Sequence, residues 1–157
     1  MKKRLLSILL VLLMALTLLP LGALANDDNK CGENLTWEFA DGILTISGTG
    51  DMYDYSSADP APWSAKNNDI SEITVLDGVT SIGDNAFHSC CAESIDLQCT
   101  SLVSIGKNAF SRCTTLTSIF IPDSVQSIGS EAFSLCEGLS MAVSYTHLRA
   151  HETGAYL

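Results

Sequence analysis

Three cysteines at equal spacing are the residues whose possible chemistry must be judged first. Cys90, Cys113 and Cys136 follow one another at intervals of 23 residues. Zinc sites usually take cysteines in short C-x-x-C pairs, and a disulfide needs two Cβ vectors that converge. Equivalent positions of a structural repeat instead stack about 5 Å apart and point the same way. We therefore expect a column of buried free thiols, with no metal or cofactor.

The other three cysteines and two histidines offer weaker alternatives. Cys31, Cys91 and Cys99 form no C-x-x-C spacing, and a Cys91–Cys99 disulfide would require the chain to double back. His147 and His151, with Glu152 beside them, have the spacing of a helical metal pair. They lie in a segment without the repeat, and we do not expect them to bind metal.

Catalytic constellations are also weak in this sequence. Outside the last 17 residues the one histidine is His88, and no serine lies in a G-x-S-x-G motif. Asp51 and Asp54, beside two tyrosines, are a carboxylate pair of the kind that glycosidases use, but loop acids beside aromatics are common. We expect no enzymatic activity in this segment.

The 23-residue period organises the chain from about residue 70 to residue 140. Each period predicts a short strand, an Ile-Gly pair, and a short helical or 3₁₀ stretch that carries Ala-Phe before the cysteine. Such a period is typical of a solenoid, in which one coil buries its apolar face only against the next coil. We expect buried ladders at the following positions: Ile82, Ile105 and Ile128; Phe87, Phe110 and Phe133; and Cys90, Cys113 and Cys136.

A cap is expected at residues 26–69, before the three repeats. Residues 35–39 alternate apolar and polar side chains, Asp41-Gly42 is a strong hairpin signal, and 43–46 form the return strand. A loop rich in aromatic residues follows. An uncovered first coil would expose its apolar end, so this hairpin and loop are expected to cover it.

Both ends of the chain differ from the repeats. Residues 1–25 combine a basic start, an apolar run and Ala23-Leu24-Ala25, which predicts a signal peptide cleaved before Asn26 rather than a membrane anchor. Residues 141–157 lack the period, and 142–153 resemble the translation of a sequencing adapter. We expect the natural reading frame to depart near Ser140, so that the chain is part of a longer protein.

Charge restricts the partners of the exported protein. Three of the eight Lys and Arg residues and none of the 18 Asp and Glu residues lie in 1–25, so the remainder has five basic against 18 acidic residues, a net charge of −13. Nucleic acids and anionic membrane surfaces require clustered positive charge. We expect neither as a partner, and no membrane insertion after signal cleavage.

The repeat resembles a known family. The string SIFIPDSVQSIGSEAFSLCEGL, residues 118–139, resembles the BspA-type leucine-rich repeat of bacterial surface proteins. The hairpin of residues 35–50 and Ala61-Pro62-Trp63 resemble the region that caps such arrays. The resemblance implies a leucine-rich-repeat solenoid of short parallel strands with an N-terminal hairpin, secreted or exposed at the cell surface. It also implies protein binding or adhesion, and it brings no catalytic residues.

Two surfaces are candidates for binding. Strand residues between the inward positions should form one continuous outer face that meets an extracellular protein or a host matrix or cell-surface ligand: Glu72, Thr74, Ser94, Asp96, Ser118 and Phe120. The alternative is a sugar-stacking platform on the cap, formed by Tyr53, Tyr55 and Trp63, or a spacer attached to a larger secreted enzyme. The cap aromatics could instead simply cover the first coil. Solvent exposure of Tyr55 and Trp63 distinguishes this covering role from sugar binding.

Overall fold

The described structure, a computed structural model, comprises residues 29–139 and opens with an antiparallel hairpin. Strand β1 (Gly32–Ala40) pairs with β2 (Ile43–Met52). The two turn residues between them, Asp41 and Gly42, have φ of 51° and 84°. Two successive positive φ values match the right-handed twist of paired strands, which explains the Asp-Gly sequence. The expected signal peptide and the segment with His147 and His151 lie outside the described residues.

Strand β2 is the origin of two parallel ladders. Its first half pairs with β3 and its second half with β4, at Gly50 and Asp51. Further coils extend each ladder, giving the order β7-β5-β3-β2-β4-β6-β8 with β1 against β2. The strands after β2 are β3 (Glu72–Val75), β4 (Val79–Ile82), β5 (Ser94–Leu97), β6 (Ser104–Ile105), β7 (Ser118–Ile119) and β8 (Ser127–Ile128). The expected solenoid with an N-terminal hairpin is confirmed.

The core runs along the stack as columns of equivalent side chains. Ile82, Ile105 and Ile128 are all buried, one in each coil. The rings of Phe87, Phe110 and Phe133 form a second buried column, with successive centroids 5.3 and 5.4 Å apart and nearly parallel planes. A coil has too few residues to enclose such rings alone, so each coil depends on its neighbours for burial.

The middle coil has an irregularity that leaves the stack unbroken. The sequence has one residue fewer between Cys90 and Ile95 than the next coil has, yet Ile95 still pairs with both Ile73 and Ile119. The missing residue is regained after β5, where Cys99 is an additional buried residue before Leu102. Because the additional side chain, that of Cys99, packs in the core, the ladder of β4, β6 and β8 keeps its register.

The side opposite the strands consists of successive turns, and the short helical segments expected there do not form. The amides of Asn85, Phe87 and Ser89 donate to carbonyl groups of the next coil over 2.9, 2.8 and 2.8 Å. This pattern requires a backbone that reverses locally: Asn85 and Ser89 have φ of 54° and 59°. Positive φ recurs at the equivalent positions of the later coils, Asn108, Arg112, Glu131 and Leu135. The intervening amides of His88 and Cys90 bond within their own coil, to carbonyl groups three residues earlier, so alternate bonds between coils interrupt what would otherwise be a helix.

The glycine of each Ile-Gly pair is required by close packing. A Cβ on Gly106 would lie 2.6 Å from the backbone nitrogen of Asp84 and from the backbone carbon of Gly83 in the preceding coil. Gly129 meets the same obstruction at Lys107, with 2.5 Å to its nitrogen. Of the two reasons for glycine that the sequence allowed, clash and positive φ, the structure supports clash.

Candidate binding surfaces

The cap aromatics form the end of the core, and the expectation of a sugar-stacking platform is wrong for two of its three residues. Trp63 is 0% and Tyr55 9% exposed. The Trp63 ring stacks on Phe87 at 5.4 Å and so continues the phenylalanine column, while Tyr55 meets its edge at 5.7 Å. A ring that is buried on another ring has no face left for a sugar. Tyr53, 49% exposed, remains at the surface.

Hydrogen bonds pair the polar atoms of these buried rings. Trp63 Nε1 donates to the carbonyl oxygen of Ala86 over 2.9 Å, which satisfies the indole within the core. Burial raises the pKa of Tyr55 above its ordinary value, and its hydroxyl donates weakly to the carbonyl of Cys31, 3.5 Å away. The cap therefore presents its aromatic residues to the first coil, as the covering interpretation requires.

The outer face of the first ladder lies where the strand pattern predicts it. Rows of paired residues cross the coils, with Glu72 beside Ser94 and Ser94 beside Ser118. The second row pairs Thr74 with Asp96. All five side chains are exposed or half-buried. Phe120, directly after β7, is 62% exposed, the highest value among the large apolar residues of 29–139.

A groove of about 460 Å³ adjoins Phe120. Phe120 and Pro122 line it from the third coil, and Leu97, Gln98 and Cys99 line it from the second. The inserted residue of the middle coil thus lies in the wall of this groove. Gln98 Nε2 donates to Asp96 Oδ2 over 2.5 Å, which fixes a polar rim beside the exposed ring.

Asp77 holds the turn that contains the insertion. Its Oδ1 accepts hydrogen bonds from the amide and the hydroxyl of Thr100, both at 3.0 Å, and from the hydroxyl of Ser101 at 3.2 Å. These bonds stabilise the charged carboxylate and hold the pKa of Asp77 below its ordinary value, and the bonds from the two hydroxyl groups have the largest effect. Nothing in the periodic pattern marked this residue as a link between coils.

A second cavity, of about 520 Å³, lies between the cap loop and the turns of the first coil. Tyr55, Ser57 and Ser64 line it from the cap, and Asn85 and His88 line it from the coil. The sequence pattern does not reveal this site, because its two walls share no repeat. The one available signal was asparagine at 85 and 108, since asparagine tolerates the left-handed conformation of these turns.

The cysteine column has the chemistry of a core. All six cysteines are free; Cys90 and Cys113 are buried, and Cys136 is half-buried. Cys113 Sγ donates to the carbonyl oxygen of Phe87 over 3.2 Å, a bond to the preceding coil. Burial raises the pKa of Cys90 to about 11, and a hydrogen bond with Cys136 together with burial raises the pKa of Cys113. Cys90 and Cys113 therefore remain protonated and weakly nucleophilic at neutral pH, whereas the hydrogen bond with Cys113 lowers the pKa of the half-buried Cys136.

Other chemistries find little support in the described part of the chain. Residues 29–139 contain no group of three or more His, Cys, Asp or Glu side chains that could hold a metal ion. His88 Nδ1 lies 3.0 Å from Ser89 Oγ, but none of the hydrogen bonds between described residues brings a carboxylate to this histidine. No helix within 29–139 is long and apolar enough to cross a membrane.

Comparisons with known proteins agree with this architecture. The model of the BspA type leucine rich repeat region (6 copies) matches residues 65–156, a range that continues beyond the described structure. No curated protein matches the sequence.

Solved structures of leucine-rich repeat proteins from three bacteria are similar to this chain. The protein from Eubacterium ventriosum is 26% identical, with a TM-score of 0.51 over 73% of this chain and 43% of that one. The protein from T. pallidum is 18% identical, with a TM-score of 0.43 over 71% of this chain and 69% of that one. The protein from Bacteroides ovatus is 22% identical, with a TM-score of 0.41 over 74% of this chain and 41% of that one. This chain therefore spans less than half of the Eubacterium ventriosum structure.

Proposed function

Because this chain belongs to the family of BspA-type leucine-rich repeat proteins, we propose that it is an exported protein that binds another extracellular protein through its outer strand face. Leucine-rich repeat regions commonly serve protein–protein interaction, typically without enzymatic activity, and this family is typically secreted or exposed on bacterial surfaces. The observation that carries the proposal is the exposure of Phe120 on an outer face whose residues from β3, β5 and β7 are polar.

The exposure of the Phe120 ring has a cost in free energy. A phenylalanine that is 62% exposed gives up much of the stabilisation that burial in the core would supply. An aromatic residue beside a groove and inside a polar rim has the anatomy of an interface hot spot, since a partner can bury the ring while the rim excludes water. The strands beneath it fix the ring on a rigid support, which lowers the entropic cost of binding.

The charges on this face indicate what kind of partner fits. Glu72 and Asp96 lie on the outer rows, and Asp123 lines the groove beside Phe120. The whole chain has a formal charge of −10. A partner segment with an apolar anchor for the groove and basic residues around it would be complementary, and these charges would increase the association rate. An extracellular matrix or cell-surface protein with such a segment is the proposed ligand.

The test is binding of the full chain to a panel of purified extracellular-matrix proteins, measured by surface plasmon resonance. Phe120→Ala should weaken binding at least about thirtyfold, the loss expected for a hot spot of about 2 kcal/mol. Tyr53→Ala is the matched control, because Tyr53 is another exposed aromatic on a different part of the surface. Equal binding by the parent and the Phe120 variant would contradict the proposal and favour a spacer role.

Export rests on the sequence of residues 1–25, with its basic start, apolar run and small-residue cleavage pattern. Expression in a bacterial host should give a secreted product whose first residue is Asn26. Retention of the intact N-terminus in the membrane fraction would indicate an anchor instead.

A further inference from the structure

The cavity between the cap loop and the first coil has the composition of a ligand site, and we propose that it binds a neutral sugar unit. Its volume of about 520 Å³ lies within the range of about 300–1,000 Å³ typical of small-molecule sites. This site is separate from the outer face, since no residue lines both the cavity and the groove beside Phe120.

The lining contains no charged residue, although the chain is 17% Asp, Glu, Lys and Arg. Hydroxyl, amide and imidazole groups surround the cavity, and Pro60, Ala61 and Ala86 supply an apolar part of the wall. Sugars present hydroxyl groups around their edge and C–H groups on their ring faces, so they need this mixture of neutral polar and apolar contacts. An anionic ligand would find no counter-ion within the lining and would have to be desolvated without compensation.

Two polar side chains in the lining have unused hydrogen-bonding capacity. Asn85 donates through Nδ2 to the carbonyl of Tyr55 over 2.7 Å, and its Oδ1 accepts no bond from the described residues. His88 and Ser89 are joined through Nδ1 and Oγ, which leaves His88 Nε2 for a ligand. A ligand hydroxyl can donate to Asn85 Oδ1 and accept from or donate to the imidazole nitrogen. Asn67 Oδ1 also has no partner, but it is enclosed by protein atoms and lies out of reach of a ligand.

The two walls are fixed to one another before any ligand binds. Three side-chain-to-backbone bonds join the cap and the first coil in both directions. Asn85 Nδ2 of the coil donates to Tyr55 O at 2.7 Å, while Trp63 Nε1 and Asn67 Nδ2 of the cap donate to Ala86 O at 2.9 Å and His88 O at 3.1 Å. Cross-links of this kind hold the cavity open in one shape. Weak ligands such as sugars benefit most from that, since little of their binding free energy is lost in ordering the site.

Nearby carboxylates indicate discrimination by charge. Asp59 lies next to the lining residue Pro60 in the cap loop, and Asp54 and Asp84 flank Tyr55 and Asn85, also outside the lining. Their field opposes an anionic sugar, so neutral saccharides should bind in preference to uronic acids.

The test uses the full chain and ligand-observed and protein-observed NMR with two sets of saccharides. The first set contains glucose, galactose, mannose, N-acetylglucosamine, lactose and maltose; the second contains glucuronate and galacturonate as anionic comparators. We expect at least one neutral saccharide to bind with Kd below about 10 mM, with amide shifts confined to residues 55–64 and 85–89.

Three variants make the result specific. His88→Ala combined with Ser89→Gly removes the imidazole and hydroxyl, and glycine suits the φ of 59° at that position. Arg112→Gly is the matched control, because Arg112 is the equivalent residue of the next coil with φ of 62° and lies outside the cavity. Ser57→Phe places a bulky side chain at an exposed cap-loop position of the lining, in order to fill the cavity from the cap side.

The double variant and Ser57→Phe should each weaken binding at least about tenfold, through lost hydrogen bonds or lost space. Arg112→Gly and Phe120→Ala should bind sugar as the parent does. The proposal is overturned if no neutral saccharide binds below that limit, if the cavity variants bind unchanged, or if glucuronate or galacturonate binds more tightly than every neutral sugar. Loss of protein binding by Phe120→Ala is independent of each of these results.

Discussion

Replacement of Phe110 by alanine tests the physical basis of the whole stack. The ring is fully buried between Phe87 and Phe133, with centroids 5.3 and 5.4 Å away and interplanar angles of 13° and 7°. Core Phe→Ala substitutions cost about 3–5 kcal/mol, and the cost depends on how far the surroundings can close the cavity.

Closure is difficult at this position. Hydrogen bonds of 2.8 Å from Phe87 N to Ala109 O and from Phe110 N to Ala132 O fix the spacing of the coils on both sides of the ring. The void therefore persists, and stacking contacts are lost on two faces. We expect a decrease of about 4 kcal/mol in the free energy of unfolding, toward the upper part of that range.

Urea denaturation followed by far-UV circular dichroism, with linear extrapolation, measures this loss. Phe120→Ala is the control, since the same deletion at an exposed ring should change stability by less than about 0.5 kcal/mol. Phe110→Leu retains most of the volume and should lose less than the alanine variant, which keeps the series informative if the latter does not fold. A loss below about 1 kcal/mol for Phe110→Ala, or a loss equal to that of Phe120→Ala, would refute the column as a source of stability.

Three further results are expected. Gly106→Ala should lower the free energy of unfolding by about 1–3 kcal/mol or more, because the added Cβ meets the backbone of the preceding coil. Lys107→Ala is the control and should leave the urea midpoint nearly unchanged. Equal midpoints for the two variants would exclude the clash. The folded-state pKa of Asp77 is lowered, so its stabilising contribution is present above the ordinary pKa of 3.8 and is lost as the pH falls through the folded-state pKa. The urea midpoint of Asp77→Asn should therefore decline less on acidification than the midpoint of the parent. Parallel pH profiles of the two midpoints would contradict this. Iodoacetamide should label the half-exposed Cys91 in the native protein but Cys113 only after unfolding, as peptide mass spectrometry can show; rapid native labelling of Cys113 would mean that the column is open.

The sequence alone was sufficient for the repeat and its core. A side chain that recurs every 23 residues meets the same environment in each coil, so Ile82, Ile105 and Ile128 identify one another as inward positions. The hairpin turn was likewise predictable, since Asp41 and Gly42 adopt φ values set by local sterics.

The sequence left open how the aromatic cap residues are used. The local sequence around Tyr55 and Trp63 would be the same whether these residues cover a coil or stack on a ligand. Their burial depends on the position of Phe87, which is 24 residues beyond Trp63 in the chain. Solvent exposure is a property of the assembled stack, and for these two residues it excludes the sugar platform.

The cavity and the links between coils were decided by tertiary structure alone. Asn85 meets Tyr55 and Asn67 meets His88 through single contacts between the cap and the first coil, and the cap occurs only once in the described chain. A contact that is made once leaves no period in the sequence, whereas a contact that every coil repeats does. The sequence therefore determined the stacked core, and the folded chain decided which polar side chains came together at its surface.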